Sequence, residues 1–291
     1  MKFTTLLLTL ALVLGILSGC GAQAPSADIA ATTLPVYEFT AFLCQGTGLT
    51  VTQVVTENVS CLHDYSLSVG QVKAIEAAQV VILSGGGLED FLTELPAGKP
   101  VIDCSSGMAL LESCHNHEGG HEGHSHDHDP HFWLSPACAK IMAENICKGL
   151  TERYPQHEKL LRENLSKLLA RLDALQAYGQ QQLTGLSCRE MLTFHDGFTY
   201  FAHSFDLEIL AAVEEESGSE ASAAELKELI TLTRQHGLPA IFVEENGSSR
   251  SASVIADATG AAVYTLRMAM SGESYFDSMY HNIDTLKEAL Q

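Results

Sequence analysis

Residues 155–185 read PQHEKLLRENLSKLLARLDALQAYGQQQLTG, and this run decides the architecture. Within the run no proline follows Pro155. Leu161, Leu165, Leu168, Leu172 and Leu175 recur at alternating spacings of four and three, the stripe that one face of an α-helix buries. One helix of this length spans on the order of 40 Å at ~1.5 Å per residue. It makes a stiff connector, unlike a Gly/Ser hinge; the alternative is a helix that belongs wholly to one lobe. On its N-terminal side, residues 49–55, 80–83 and 100–103 are short β-rich runs with amphipathic segments between them. On its C-terminal side a second series begins near Met191 and includes 207–213, 240–244 and 261–266, separated by helical stretches at 222–236 and 248–259. Strands that alternate with helices predict parallel sheets covered by helices. The expected fold class is therefore α/β in two lobes, each a mainly parallel sheet flanked by helices, joined by one long rigid α-helix. The expected bounds are an N-terminal lobe at 28–150, the connecting helix at 151–186 and a C-terminal lobe at 187–291.

The start of the chain sets the compartment. Lys2 precedes an apolar run from Leu6 to Leu17, too short to span a membrane and suited to the h-region of a signal peptide covering residues 1–19. It ends in Leu17-Ser18-Gly19-Cys20, which resembles the lipobox at which bacterial lipoproteins are cleaved and acylated on the cysteine. The polar tether at 20–27 fits an extracytoplasmic protein anchored by lipid on Cys20 to the bacterial cell membrane; an ordinary signal peptide with a chance cysteine is the alternative.

At 291 residues, 46% hydrophobic and 18% charged, the chain has the composition of a globular protein with room for two modest domains. Its 36 acidic residues against 16 basic ones give a formal charge of −20, which argues against nucleic acid or anionic lipid headgroups as partners and suits a cation ligand. Acidity of this kind also serves plain solubility. Of eight cysteines, acylation of Cys20 leaves an odd number, so at least one thiol is expected to be unpaired. Cys138 and Cys147 share a predicted helix and stand roughly 13 Å apart at 1.5 Å rise, too far for a disulfide. Pairings among Cys44, Cys61 and Cys104 remain open.

Residues 115–129 offer nothing apolar to bury and carry His115, His117, His121, His124, His126 and His128 among Gly, Glu and Asp. Imidazole nitrogen is a favoured ligand of zinc, nickel and copper, so such a loop can gather metal at modest affinity; a merely soluble insert is the plain alternative. Three further histidines stand in structured surroundings. His63 lies in Cys61-Leu62-His63-Asp64-Tyr65 after the strand at 49–55. His131 lies in Asp129-Pro130-His131-Phe132-Trp133-Leu134-Ser135-Pro136, where two prolines fix a loop before a helix starting near Ser135. His195 follows the apolar strand 191–194 and precedes Asp196-Gly197. Each sits where ligands of open α/β sheets gather. Any one of them alone is more simply read as a structural histidine. Together, two from the first lobe and one from the second, they can close on one ion in the cleft. Asp64 and Asp196 are candidates to orient the adjacent rings or, equally, to cap the helices that follow.

These stretches carry a family resemblance, together with Ser84-Gly85-Gly86-Gly87-Leu88-Glu89, Phe194-His195-Asp196, Ile241-Phe242-Val243-Glu244 and Tyr280-His281-Asn282-Ile283-Asp284-Thr285-Leu286. The chain resembles the metal-specific class of ABC-transporter substrate-binding proteins, and particularly its zinc receptors, over nearly the whole mature chain. The resemblance implies two lobes joined by a rigid helix with Zn2+ between them, delivery to the permease of an ABC importer, and a monomer that binds without catalysing. By position, His63, His131 and His195 match the family's three histidine ligands. The manganese receptors of the class typically have a carboxylate where His195 stands, and three nitrogen donors favour zinc over the harder manganese ion. One departure stands out: where many members place a carboxylate ligand after the last strand, this chain has Leu266-Arg267-Met268, and Arg267 cannot coordinate a cation. Water, a loop histidine and Cys61 are candidates for the fourth position. The rival readings are a receptor for manganese or another divalent metal, a metal-buffering surface adhesin, and a zinc-dependent hydrolase. The last lacks a His-Glu-x-x-His helix and a Gly-x-Ser-x-Gly elbow.

Overall fold

The computed structural model describes residues 27–57, 59, 62, 65–92, 98–112, 128–213, 221–245, 247, 249–272 and 274–291. The first sheet contains β1 (Ile29–Ala31), β2 (Val51–Gln53), β3 (Val80–Leu83) and β4 (Val101–Asp103) in the order β2-β1-β3-β4, every pair parallel. Helices α1 (Leu34–Leu43), α2 (Val69–Ala77) and α3 (Pro136–Arg153) accompany it. The expected strands appear: 80–83 as read, 100–103 without its first residue, and 49–55 without two residues at each end. β1 is an addition: three buried residues are too few to show a period, yet this strand is central.

The leucine stripe forms α4 (Glu158–Gln182), a 25-residue helix of about 37 Å at ~1.5 Å per residue. Leu161, Leu168, Leu172 and Leu175 are fully buried and Leu165 partly so. The helix packs on α1 and α3 of the first lobe and on α8 (Tyr275–Leu290) of the second. Its buried Asn164 donates to the carbonyls of Leu43 and Gln45 at 3.0 and 2.9 Å, satisfying acceptors that α1 leaves open at its C-terminal end.

The second sheet repeats the first. β5 (Glu190–Thr193), β6 (Glu208–Ala212), β7 (Ala240–Glu244) and β8 (Ala262–Leu266) run in the order β6-β5-β7-β8, again all parallel. Between them lie α5 (Thr199–Ser204), α6 (Ala223–His236) and α7 (Arg250–Thr259). α6 begins with a capping box of Ser222 and Glu225, and Gly237 ends it in the left-handed conformation. The chain order reverses between β1 and β3 and again between β5 and β7, and the carboxyl ends of such strand pairs are where open α/β sheets form crevices.

In the first lobe that crevice is filled by protein. Glu89 is buried and accepts from the Thr32 hydroxyl at 2.6 Å and from the backbone N–H groups of Ser84 and Gly85 at 2.7 and 3.0 Å. Burial pushes its carboxyl up despite these donors. Gly85 has φ +86°, and a Cβ there would stand 1.9 Å from Asp103 Oδ1, so the Gly-rich turn is required for the chain to pass.

Among the described residues Cys44, Cys104, Cys138, Cys147 and Cys188 are free thiols, while Cys20, Cys61 and Cys114 lie outside them. Cys138 and Cys147 do share α3 without pairing. No helix of the described residues is long and apolar enough to cross a membrane, and the expected leader at 1–19 and all of the tether at 20–27 except Ala27 lie outside them.

The seat of α4 on the second lobe gives a test in which two effects oppose. A Cβ on Gly179 would stand 2.2, 2.6 and 2.9 Å from ring atoms of Phe205, itself buried. Helix propensity alone makes Gly179→Ala stabilising by about 1 kcal/mol. Overpacking against a rigid ring costs about 1–3 kcal/mol and more at such distances. Gly179→Ala is therefore expected to lower stability by about 1–2 kcal/mol in urea unfolding; a gain would mean that Phe205 moves aside freely.

Candidate metal centre

Local sequence holds His131 rigidly. Pro130 precedes it, the 3-10 turn Phe132–Leu134 follows, and Ser135 caps α3 by accepting from the N–H of Cys138 at 3.4 Å, with Pro136 in the first turn. Asp129 folds back onto the same residue: its Oδ1 accepts the backbone N–H of His131 at 2.8 Å and contacts the ring Nδ1 at 2.8 Å. The His131 ring also meets Trp133 edge-on at 5.3 Å.

His195 arrives from the other lobe. β5 and β7 are neighbours with Thr193 opposite Phe242, so two residues farther along each strand His195 comes beside Glu244. The His195 Nδ1 lies 3.6 Å from Glu244 Oε1. Both histidines are nearly sealed, at 2% and 1% exposure, and so are Asp129 and Glu244 at 4% each.

The two rings converge. His131 Nε2 and His195 Nε2 are 3.3 Å apart, with ring planes at 86°. A carboxylate behind each Nδ1 favours the tautomer that carries its proton there, which leaves the Nε2 lone pairs facing one another. Two such acceptors at 3.3 Å repel unless a proton or a metal cation stands between them. Nitrogens held about 2.0–2.1 Å from one ion at a tetrahedral angle lie roughly 3.3–3.4 Å apart, which is the zinc geometry. Gly197 keeps this space clear: a Cβ there would stand 2.6 Å from His195 Cδ2, 2.9 Å from its Nε2 and 2.5 Å from Met268 Cε.

Of the expected donors, His131 and His195 are thus brought together, while His63, Cys61 and Asp64 lie outside the described residues. Among the described residues no group of three or more His, Cys, Asp or Glu is placed to hold a metal. Of the loop histidines only His128 is described; it is exposed, and its backbone forms an antiparallel bridge with Glu112. His115, His117, His121, His124 and His126 lie outside. Arg267 turns from the site toward Glu245, at 3.4 Å, and its backbone is held on both sides by Asn282 at 2.8 and 2.7 Å. The carboxylates found against the rings are Asp129 and Glu244, which sequence reasoning had not assigned to that task. One signal was present: a charged residue closing the wholly buried strand Ala240–Glu244 needs a buried partner.

Residues 29–289 match the family model ZnuA, zinc-uptake complex component A, periplasmic. The chain belongs to this family. Its members are solute-binding receptors, not enzymes. A protein named for metal binding from Treponema pallidum (strain Nichols) is 27% identical over 99% of this chain and 97% of its own length. The zinc-binding lipoprotein AdcA of Streptococcus pneumoniae serotype 4 is 28% identical over 90% of this chain, which spans only 55% of AdcA. A crystal structure of ZnuA superposes with a TM-score of 0.80 at 28% identity, covering 91% of this chain and 100% of that one. The Zn(II)-bound structure of AdcA from Streptococcus pneumoniae gives 0.76 at 26% identity over 91% of this chain and 58% of that one. ZnuA-family membership thus agrees with the two parallel sheets and the long helix.

Proposed function

We propose that this chain is an extracytoplasmic zinc receptor that holds one Zn2+ between its lobes on His63, His131 and His195 and delivers it to the permease of an ABC importer. The signal peptide at 1–19 is removed, Cys20 carries the lipid anchor, the tether at 20–27 spaces the receptor from the membrane, and the molecule acts as a monomer. The observation that carries this reading is the 3.3 Å approach of the His131 and His195 Nε2 atoms, each with a carboxylate on its far side. That separation is the edge of a zinc tetrahedron, and nitrogen donors suit zinc better than manganese. Membership of a zinc-uptake family and likeness to AdcA, a zinc-binding lipoprotein, support the same ion. The histidine-rich loop serves as a weaker collector that raises the local metal concentration.

Because neutral imidazole is the ligand, protons compete with the ion. Below a free-histidine pKa of about 6.5, each imidazole protonated in the metal-free protein costs roughly tenfold in affinity per pH unit. Calorimetric titration with Zn2+ is expected to give one tight site at pH 7.5, weakened at least tenfold at pH 5.5. A chain lacking residues 116–127 keeps that transition and loses only weak additional binding. An affinity indifferent to pH would count against histidine ligation, and loss of the tight site with the loop would place a ligand there.

A further inference from the structure

The centre poses a charge problem. Zinc brings two positive charges into a pocket whose ring donors are less than 3% exposed and neutral, and a buried dication without counter-charge is costly. The resemblance to metal receptors implies a carboxylate ligand after the last strand, but this chain has Arg267 there, turned onto Glu245 at 3.4 Å.

Resting on the proposed histidine site, we infer that Asp129 and Glu244 are the centre's counter-charge and its positioning residues, one behind each imidazole. Both are buried to the same degree and each comes from a different lobe. Asp129 Oδ1 stands 2.8 Å from His131 Nδ1 and also accepts that residue's N–H, so ring and backbone are held by one oxygen. Glu244 Oε1 stands 3.6 Å from His195 Nδ1, close enough to act through its charge and long enough to shorten as the imidazole gains positive character on binding the ion. Carboxylate, imidazole and metal in line fix the ring tautomer and raise its basicity, and loss of such a partner typically costs about 10–100-fold in metal affinity. The selectivity of the pocket follows from the same arrangement. The ion touches nitrogen, which favours zinc over manganese, while each carboxylate stands against the Nδ1 on the far side of its ring.

The test uses Glu244→Gln and Asp129→Asn in the full chain, since each amide removes the charge while keeping one acceptor oxygen and the side-chain shape. Zn2+ affinity is read by chelator competition, Co2+ is used as a spectroscopic probe of ligand geometry, and the thermal midpoint of the metal-free protein is measured. Each variant is expected to bind Zn2+ roughly 10–100-fold more weakly. The metal-free midpoint should stay or rise, because a buried negative charge has been removed, and the Co2+ ligand-field bands should keep their tetrahedral positions. Unchanged Zn2+ affinity in both variants, beside a His195→Ala variant that has lost tight binding, would overturn the inference and leave the histidine site standing. Weakened binding together with a lowered metal-free midpoint and altered Co2+ bands would also overturn it, by making the two carboxylates props of the fold. Tight binding that survives in His195→Ala would overturn the histidine site itself.

Discussion

Replacing His195 by alanine is expected to lower the affinity for Zn2+ by about two orders of magnitude while leaving the fold intact. Apparent zinc-binding free energies at closed four-ligand sites are about 10–16 kcal/mol, roughly 3 kcal/mol per donor, and each 1.4 kcal/mol is tenfold. The loss is larger than for either carboxylate because a donor atom disappears, not a charge behind it. His195 is also the described member of the site that the second lobe contributes, so without it the ion is held from one side only. The space vacated lies beside Gly197 and Met268, neither of which supplies a nitrogen. Metal competition sharpens the result: the unaltered protein should retain zinc against a large excess of manganese, whereas His195→Asp, which puts a hard oxygen where manganese receptors of the class carry one, should narrow that preference. If His195→Ala holds zinc as tightly as the unaltered chain in chelator competition, the ion binds elsewhere.

The parts of this site that were legible beforehand share one property: their meaning is local. The leucine stripe at 161–175 encodes a helix whatever surrounds it, and it appears as α4 with four of the five leucines fully buried. His131 and His195 announced themselves by standing at a proline-bounded loop and just past an apolar strand, positions that the chain itself defines. What escaped notice depends on neighbours distant in sequence. Ile29–Ala31 is too short to show alternation, yet it is central because β2 and β3 pair on either side of it. Glu244 meets His195 only because β5 lies beside β7 with Thr193 opposite Phe242, a register that no window of either strand contains. Asp129 is two residues from His131 and was in view, but an aspartate before a proline turn has several uses, and only the fold-back of its Oδ1 onto the ring selects one. The helix caps at Ser135 and Ser222 show the other side of the same principle, since capping chemistry is complete within four residues.

Trp133→Ala should be the most destabilising single change in the described structure, because Trp133 joins the lobes at the point where His131 is held. The indole is fully buried, its Nε1–H donates to the carbonyl of Met268 in the second lobe at 2.7 Å, and its own carbonyl accepts the Tyr275 hydroxyl at 2.8 Å. Around this stitch, the N–H of Leu34 donates to the Met270 carbonyl at 3.3 Å and the N–H of Tyr275 donates to Glu38 at 3.0 Å, so Met268, Met270 and Tyr275 are each tied to the first lobe. Truncating a buried Trp costs about 3–5 kcal/mol. A further loss of about 1–3 kcal/mol comes from the Met268 carbonyl left without its donor. Against a total stability of about 5–15 kcal/mol, this brings the metal-free protein close to unfolding. Trp133→Phe separates the two contributions, since it keeps most of the ring and should lose only the hydrogen bond, about 1–3 kcal/mol. Urea unfolding of both variants, without metal and with saturating Zn2+, measures the coupling to the site. Zinc that bridges the lobes stabilises the native state by RT ln(1 + [L]/Kd), so it should recover part of the loss in Trp133→Phe. Recovery should be smaller in Trp133→Ala, because the edge contact that seats the His131 ring at 5.3 Å has gone as well. Equal recovery in the two variants would mean that the indole joins the lobes without positioning the ligand.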